Sequence, residues 1–552
     1  MPPGRVLGGA FLLLVLLTVV MTYPQAFRLR DGVNDAGDPL LNTWALAWVA
    51  HQLPIAPGHI FDANIFYPQR RSLAFSETLL VPGIAAAPLF WLGAGAVLVY
   101  NLVFLSAMVL SGLGVVLLVH ELTGEAGPAI VAGIIFAFLP FRMDHYAHMQ
   151  LQQTEWIPLA LWALHRVANT GRWADGVTLG AFTAFQMLSC MYFGIFLVPY
   201  LAVVALVLLL ADVRAKRVET GMLVSWDAPA IKRRVLVLLL ASVVCLTITA
   251  PVARAYLSAK SVVGERSAEE VANGSATWRN YLSAPSMNVM FGRWSEDFGG
   301  AERRLFPGVV ATALAIVALW PPLSKTRLAY GVALLFAFDM SLGFNGLTYR
   351  LLYNYILPFR GLRIPARMGL MVGFTLAVLA GFGTARLAAF VRRPFPRRTA
   401  IVTIALLILV EYRSQPLRLT TIPLAPPEIY ADLLKDRGDA PTVALVELPI
   451  AKEDPTYMYY STFHWQYLLN GYSGFFPPAF DRLAHLLDEF PYGGSMTAIR
   501  GRGARYLLIH GELLYPDEYA RLVSAAGQAD GLALIARRPW QGREISLYRI
   551  MY

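Results

Sequence analysis

Eleven apolar runs occupy residues 6–22, 98–119, 126–141, 155–168, 174–190, 192–211, 235–253, 307–321, 326–343, 365–389 and 399–413. A bilayer core takes about 20 apolar residues per helical crossing, and inside it every backbone N–H and C=O must find a partner, which leaves helices or closed barrels. Runs of this length and spacing confine the chain to a bundle of membrane-spanning helices. The composition agrees, since 57% of the 552 residues are hydrophobic and 15% are charged, outside the balance of a soluble domain. Much of the net charge of +10 flanks the runs, which points to membrane orientation and away from a nucleic-acid partner.

Two segments set the topology. Arg5 precedes the first run, and the exit Thr22-Tyr23-Pro24-Gln25 has no small-x-small cleavage site, so this run reads as an uncleaved anchor. Residues 78–96 contain Pro82, Gly83 and Pro88, which disfavour an unbroken helix and suit a re-entrant or interfacial hairpin at least as well as a span. The positive-inside rule favours the hairpin. If 78–96 does not cross, most short basic segments share one side: Arg5; Arg166 and Arg172; Arg214, Lys216, Arg217, Lys232, Arg233 and Arg234; Lys325 and Arg327; Arg392, Arg393, Arg397 and Arg398. The expectation is eleven spans with the N-terminus cytoplasmic.

The fold class expected is therefore a polytopic α-helical membrane protein with a C-terminal external α/β domain. Residues 1–414 form the transmembrane domain, with external loops at 23–97, 142–154, 254–306 and 344–364. Residues 415–552 change character: apolar runs shorten to strand length at 442–449, 504–510 and 544–550, between helical patterns at 427–436, 480–489 and 516–526. Both cysteines, Cys190 and Cys245, lie in apolar stretches, which argues against a disulfide framework, a zinc site or thiol catalysis.

The first external loop places Asp35 and Asp38 ahead of an apolar helix, residues 39–53. Asp38-Pro39 reads as a helix start, with Asp38 at the N-cap and Pro39 at the first helical position, so a capping carboxylate is one account of Asp38. The other is chemical. Leu41, Trp44, Trp48 and His51 line one side of a helix that is apolar nearly all round, which suits a helix at the membrane interface, where a carboxylate faces both aqueous and lipid substrates.

This arrangement resembles the GT-C superfamily of integral-membrane glycosyltransferases, whose members combine many spans, a long first external loop with a key aspartate, and often a C-terminal external domain. The likeness covers the plan of the whole chain. It is carried by Gly37-Asp-Pro-Leu-Leu-Asn-Thr-Trp44, Phe61-Asp-Ala-Asn-Ile-Phe-Tyr-Pro68, Leu305-Phe-Pro-Gly308, Arg363-Ile-Pro-Ala-Arg367 and His464-Trp-Gln-Tyr-Leu-Leu-Asn-Gly-Tyr-Ser-Gly-Phe-Phe-Pro477. The first loop departs from the Asp-Glu pair common in mannosyl and aminoarabinose transferases, which leaves the metal requirement open, a divalent cation included. The resemblance implies transfer of a sugar from a polyprenyl-phosphate donor to a glycan, lipid or protein acceptor at the outer face of a bacterial inner membrane. It implies membrane lipids as further partners. Inversion at the anomeric carbon is the stereochemistry expected.

In that chemistry a carboxylate takes the proton of the acceptor hydroxyl, with Asp38 the first candidate and Asp35 the alternative. The phosphate leaving group needs cations near the membrane surface. Arg142, His145 and His148 sit in one short external stretch beside Asp144, and the same stretch also reads as a polar interfacial turn anchored by Tyr146 and Trp156. Arg363 and Arg367, spaced i, i+4 at the external entrance to the tenth span, suit a lipid phosphate or simple snorkelling. The middle loop's Arg254, Lys260, Arg293, Arg303, Arg304, Glu296, Asp297 and Glu302 read as mixed, mostly solvated charge. The aromatic tract 457–477 offers a sugar-stacking surface or core packing, with His464 and Trp465 the residues to test. A lipid-saccharide transporter or flippase, the rival reading, calls for charges within spans, and only Asp339, Glu411 and Arg386 lie near span ends. A non-catalytic membrane scaffold is the third reading.

Overall fold

The computed structural model describes residues 4–220, 228–391 and 393–552. Of the expected cytoplasmic basic residues, Arg392 and the side chains of Arg214, Lys216 and Arg217 lie outside the described residues. All eleven apolar runs carry helices: Gly4–Met21, Ala96–Thr123, Ala126–Ala137, Trp156–Thr170, Trp173–Ser189, Met191–Thr220, Ala228–Val263, Val309–Leu319, Lys325–Ser341, Gly369–Phe390 and Pro394–Tyr412. By length and composition alone, six segments among the described residues suffice to cross a membrane: Gly4–Met21, Ala96–Thr123, Ala126–Asp144, Met191–Ala211, Ala230–Val263 and Pro365–Phe390. The ambiguous segment 78–96 holds a helix of 12 residues, Leu80–Trp91. At 1.5 Å per residue it is about 18 Å long, well short of a hydrocarbon core of about 30 Å.

Contacts divide the chain into two compact units. The first comprises Met1–Phe27, Val103–Pro251 and Glu265–Arg418, and the second Arg28–Leu102, Val252–Gly264 and Leu419–Tyr552. Residues 28–102 thus group with the C-terminal region, whereas a division at residue 414 keeps them with the apolar helices.

The first unit is helical around Gly369–Phe390, which is buried along most of its length against Ala126–Ala137, Val309–Leu319 and Lys325–Ser341. A helix apolar on every side belongs in such a place. Close approach depends on Gly383, where a Cβ would collide with the Leu314 carbonyl oxygen. Three charges near the ends of runs have local work to do. Glu411 accepts the N–H groups of Val309 and Val310 at the head of Val309–Leu319. Asp339 accepts those of Leu347 and Thr348 at the head of Thr348–Tyr355. Arg386 donates to the Val317, Trp320 and Pro321 carbonyls at the tail of Val309–Leu319. These are helix-end groups with no partner inside their own helix, so each charge is spent on capping.

The second unit is built on a five-stranded sheet: β1 (Ala444–Leu448), β2 (Tyr467–Leu468), β3 (Ala504–His510), β4 (Leu532–Trp540) and β5 (Arg543–Ile550), in the order β2-β1-β3-β5-β4. β1 is parallel to β2 and β3, while β5 is antiparallel to β3 and β4. The outer edge at β2 is covered by the first loop, where Leu468 N donates to Asn64 O at 2.8 Å and Tyr67 N to Leu468 O at 2.9 Å. Beside the sheet lies the helix Asp38–Ile55. Its residues 39–50 are buried, packed on Leu80–Trp91 and Asp454–Ser461, so it is a core helix and not the interfacial one its composition suggested. Its indoles find acceptors in place of an interface: Trp44 Nε1 donates to Asn64 Oδ1 at 3.0 Å and Trp48 Nε1 to the Ile60 carbonyl at 2.8 Å.

Candidate functional site

In the second unit the two acids of the first loop have different employment. Gly37 is the N-cap of the helix, Asp38 is its first residue, and no side chain caps it. The turn before the helix is closed by Asp35, whose Oδ1 accepts from Gly37 N at 2.8 Å and whose Oδ2 accepts from Asn34 Nδ2 at 3.2 Å. Asp35 thus closes the turn that leads into the helix, and the capping account drawn for Asp38 is not what the helix start shows. The half-buried Asp38 carboxylate accepts at Oδ1 from the Tyr472 hydroxyl at 3.0 Å. It also stands where the partial positive charge of the helix N-terminus favours an anion.

His464 and Trp465 part company. His464 is buried, stacks on Tyr430 with ring centroids 4.8 Å apart, and accepts at Nδ1 from Gln466 N at 3.0 Å. Burial pushes its imidazole down to about 3, so it is a neutral core histidine. Trp465 has a left-handed backbone, φ 53°, and its ring stacks on His51 at 4.1 Å with an interplanar angle of 12°. Trp48 joins the group at 5.8 Å from Trp465. A tryptophan held in this sparsely allowed region signals a constraint imposed by its surroundings.

In the first unit, the stretch 142–154 is tied to the loop 254–306. His145 is buried, with Nδ1 3.0 Å from the Phe141 carbonyl and Nε2 3.0 Å from Glu302 Oε2. Arg367 donates from Nε to Glu302 Oε2 at 3.1 Å and from Nη2 to Oε1 at 2.7 Å, while its guanidinium lies over the Tyr192 ring at 4.8 Å. Burial raises the Glu302 carboxyl, but Arg367 and His145 outweigh it and hold the group well below the ordinary carboxylate range. Arg304 bridges Asp144 Oδ1 at 3.2 Å and Asp297 Oδ2 at 2.6 Å. Glu302 and Arg304 are therefore members of a network, not the solvated charges their mixed surroundings suggested.

The remaining candidates are scattered around that network. Arg142 is fully buried and donates to the Gln152 carbonyl at 3.4 Å and to the Thr154 hydroxyl, over the face of Phe136. It braces the stretch 142–154 from inside. His148 packs beside His145, ring centroids 5.7 Å apart. The Arg363 side chain is exposed, while its backbone N–H donates to the Tyr192 hydroxyl at 2.8 Å. Among the described residues no three His, Cys, Asp or Glu side chains gather as a group able to hold a metal. The residues overlooked by sequence reasoning are Glu302, Arg304 and Tyr472. Each gains its meaning from a partner more than 150 positions away, Tyr472 from one 434 positions away.

No protein-family model matches the chain, and no curated protein matches it in sequence. Its fold does match solved structures. One is the archaeal oligosaccharyltransferase AglB from Archaeoglobus fulgidus in complex with an inhibitory peptide and a dolichol-phosphate, 14% identical over 96% of this chain and 73% of that one, with a TM-score of 0.53. Another is the Archaeoglobus fulgidus oligosaccharyltransferase in the apo form, 14% identical over 91% and 69% of the two chains, with a TM-score of 0.52. At this identity the likeness is one of fold alone, and it extends over most of this chain.

Proposed function

We propose that this chain is a multi-pass membrane glycosyltransferase that moves a sugar from a polyprenyl-phosphate donor to an acceptor at the outer face of the membrane, with Asp38 as general base. The observation that carries the reading is the division of labour in the first loop: Asp35 closes the turn, and Asp38 stands half-buried at the head of a core helix without serving as its cap. In the reaction the acceptor oxygen attacks the anomeric carbon as its proton passes to the Asp38 carboxylate. The bond between that carbon and the phosphate oxygen breaks, and the polyprenyl phosphate leaves with the electron pair. Attack opposite the leaving group inverts the anomeric centre. The fold match to an oligosaccharyltransferase bound to a dolichol-phosphate and a peptide supports a polyprenyl-phosphate donor and makes peptides the first acceptors to try. Eleven crossings, with the N-terminus cytoplasmic and residues 415–552 outside a bacterial inner membrane, fit the eleven helices and the distribution of basic residues.

The test uses the purified full chain with a panel of radiolabelled polyprenyl-phosphate hexoses and N-acetylhexosamines, offered peptide and glycan acceptors. Asp38→Asn is expected to lower turnover by about 10²–10⁴-fold, the usual contribution of a positioned base. Asp35→Asn should lower thermal stability and leave most of the turnover. Undiminished transfer by Asp38→Asn removes the proposed base, and the absence of transfer from every donor argues against the enzyme reading.

A further inference from the structure

We infer that Tyr472 is a positioning residue for the Asp38 carboxylate, a role that rests on the reading of Asp38 as the base. Its hydroxyl donates to Asp38 Oδ1 at 3.0 Å, and both side chains are half-buried. A carboxylate on a single Cβ rotates freely, so a base that must meet one incoming hydroxyl benefits from a fixed donor that sets where its lone pairs point. Tyr472 is such a donor only if its own loop is rigid.

The structure supplies that rigidity from three sides. Asn470 behaves like one more strand residue beside β1: its Oδ1 accepts from Glu447 N at 2.7 Å and its Nδ2 donates to Glu447 O at 2.9 Å. Asp454, itself buried, accepts from Asn470 Nδ2 at 3.0 Å and from Gly471 N at 3.2 Å. From the first loop, Phe66 N donates to Asn470 O at 2.9 Å, and the Phe66 ring lies so close that a Cβ on Gly471 would stand 2.7 Å from it. The backbone of Tyr472 rests on Met458 Sδ at 3.2 Å, and its ring meets Phe476 edge-on at 6.0 Å. Core packing alone requires the ring and not the hydroxyl, which donates instead to Asp38 Oδ1.

The decisive variant is Tyr472→Phe in the full chain, assayed with whichever panel donor the unsubstituted protein turns over. The expected result is a kcat about tenfold lower, with the donor KM within about twofold and the melting temperature nearly unchanged, since a hydrogen bond to a charged group is lost while the ring stays. A packing role predicts a fall in melting temperature together with a change in KM. A second measurement needs no turnover: the infrared difference between the unsubstituted protein and Asp38→Asn isolates the Asp38 carboxylate band, and that band should move in Tyr472→Phe. An unchanged kcat, an unmoved band or a loss confined to KM overturns the role of Tyr472. Full activity in Asp38→Asn overturns instead the reading of Asp38 on which it rests.

Discussion

At the scale of single residues, the Glu302 carboxylate is the point on which the first unit's charged network turns. It takes both donors of Arg367 and faces His145, and its side chain is 30% exposed against 7% for Arg367. Removing one partner of a pair this deep leaves the other charge poorly solvated, which costs more than the pair itself contributes. Arg367→Gln is expected to destabilise the protein by about 2–4 kcal/mol, and Glu302→Gln by somewhat less because water reaches that side. Thermal melting in detergent checks both. Candidate acids on a loop are legible in a sequence when the residues are neighbours, as Asp35 and Asp38 are. It was not legible for Glu302 or Tyr472, because an acid among mixed charges and a tyrosine among aromatics look ordinary until the fold delivers their partners.

At the scale of elements, the C-terminal sheet was read from its central strands and missed at its edges. β1, β3 and β5 carry the apolar runs that a buried sheet demands, and the helices Ile429–Arg437, Pro478–Leu487 and Pro516–Gln528 fall where helical patterns were read. β4 escaped because Arg537, Arg538 and Pro539 break its apolar pattern, yet charges and a proline are what guard an exposed edge against pairing with another chain. β2 is two residues long, too short to read. Nor did any pattern foretell the polar knot that ties β1 to β3. His510 Nε2 lies 2.6 Å from Glu447 and Nδ1 2.9 Å from Glu512, with the ring fully buried and the Tyr430 hydroxyl donating to Glu447 at 2.6 Å. Burial lowers the His510 imidazolium, but the two carboxylates outweigh it and lift the ring to about 9.

That knot has a signed consequence. A histidine in an unfolded chain titrates near about 6.5, so the folded protein keeps a proton that the unfolded chain loses. The stabilisation is complete below about pH 6.5 and is lost as pH rises through about 9. Asp454, lifted by burial to about 7, is also more stable protonated, but its contribution is lost over an earlier window, between about pH 4 and 7. Melting of the full chain should therefore fall between pH 7 and 9.5, and His510→Gln should lower stability throughout while removing most of the slope in that range. A slope that survives in His510→Gln assigns the titration elsewhere.

At the scale of the whole molecule, the apolar runs were legible because the bilayer imposes one length and one polarity on every crossing. The described helices coincide with all eleven runs, but five are shorter or more charged than a stand-alone span, so side must be measured. The chain suits that measurement, since its two cysteines are buried and leave a quiet background. Cysteine introduced at exposed Leu424 should react with a membrane-impermeant maleimide in intact cells, and at exposed Arg393 only after permeabilisation. The reverse pattern inverts the proposed orientation.

The cover over the edge of β2 also sets a timetable. Asn64 donates to the Gln466 carbonyl across a sequence separation of 402 residues, and Leu468 N returns a bond to the Asn64 carbonyl. Chains are made at about 5–20 residues per second, so the first loop waits on the order of 20–80 s before its partner strand exists. Through that interval Phe66, buried in the finished unit, lacks the Phe476 and Phe480 rings it meets there. The segment bearing the proposed base is among the first to emerge and among the last to take its shape, so a chain that stops short of residue 464 has all eleven apolar helices made and the proposed site unassembled.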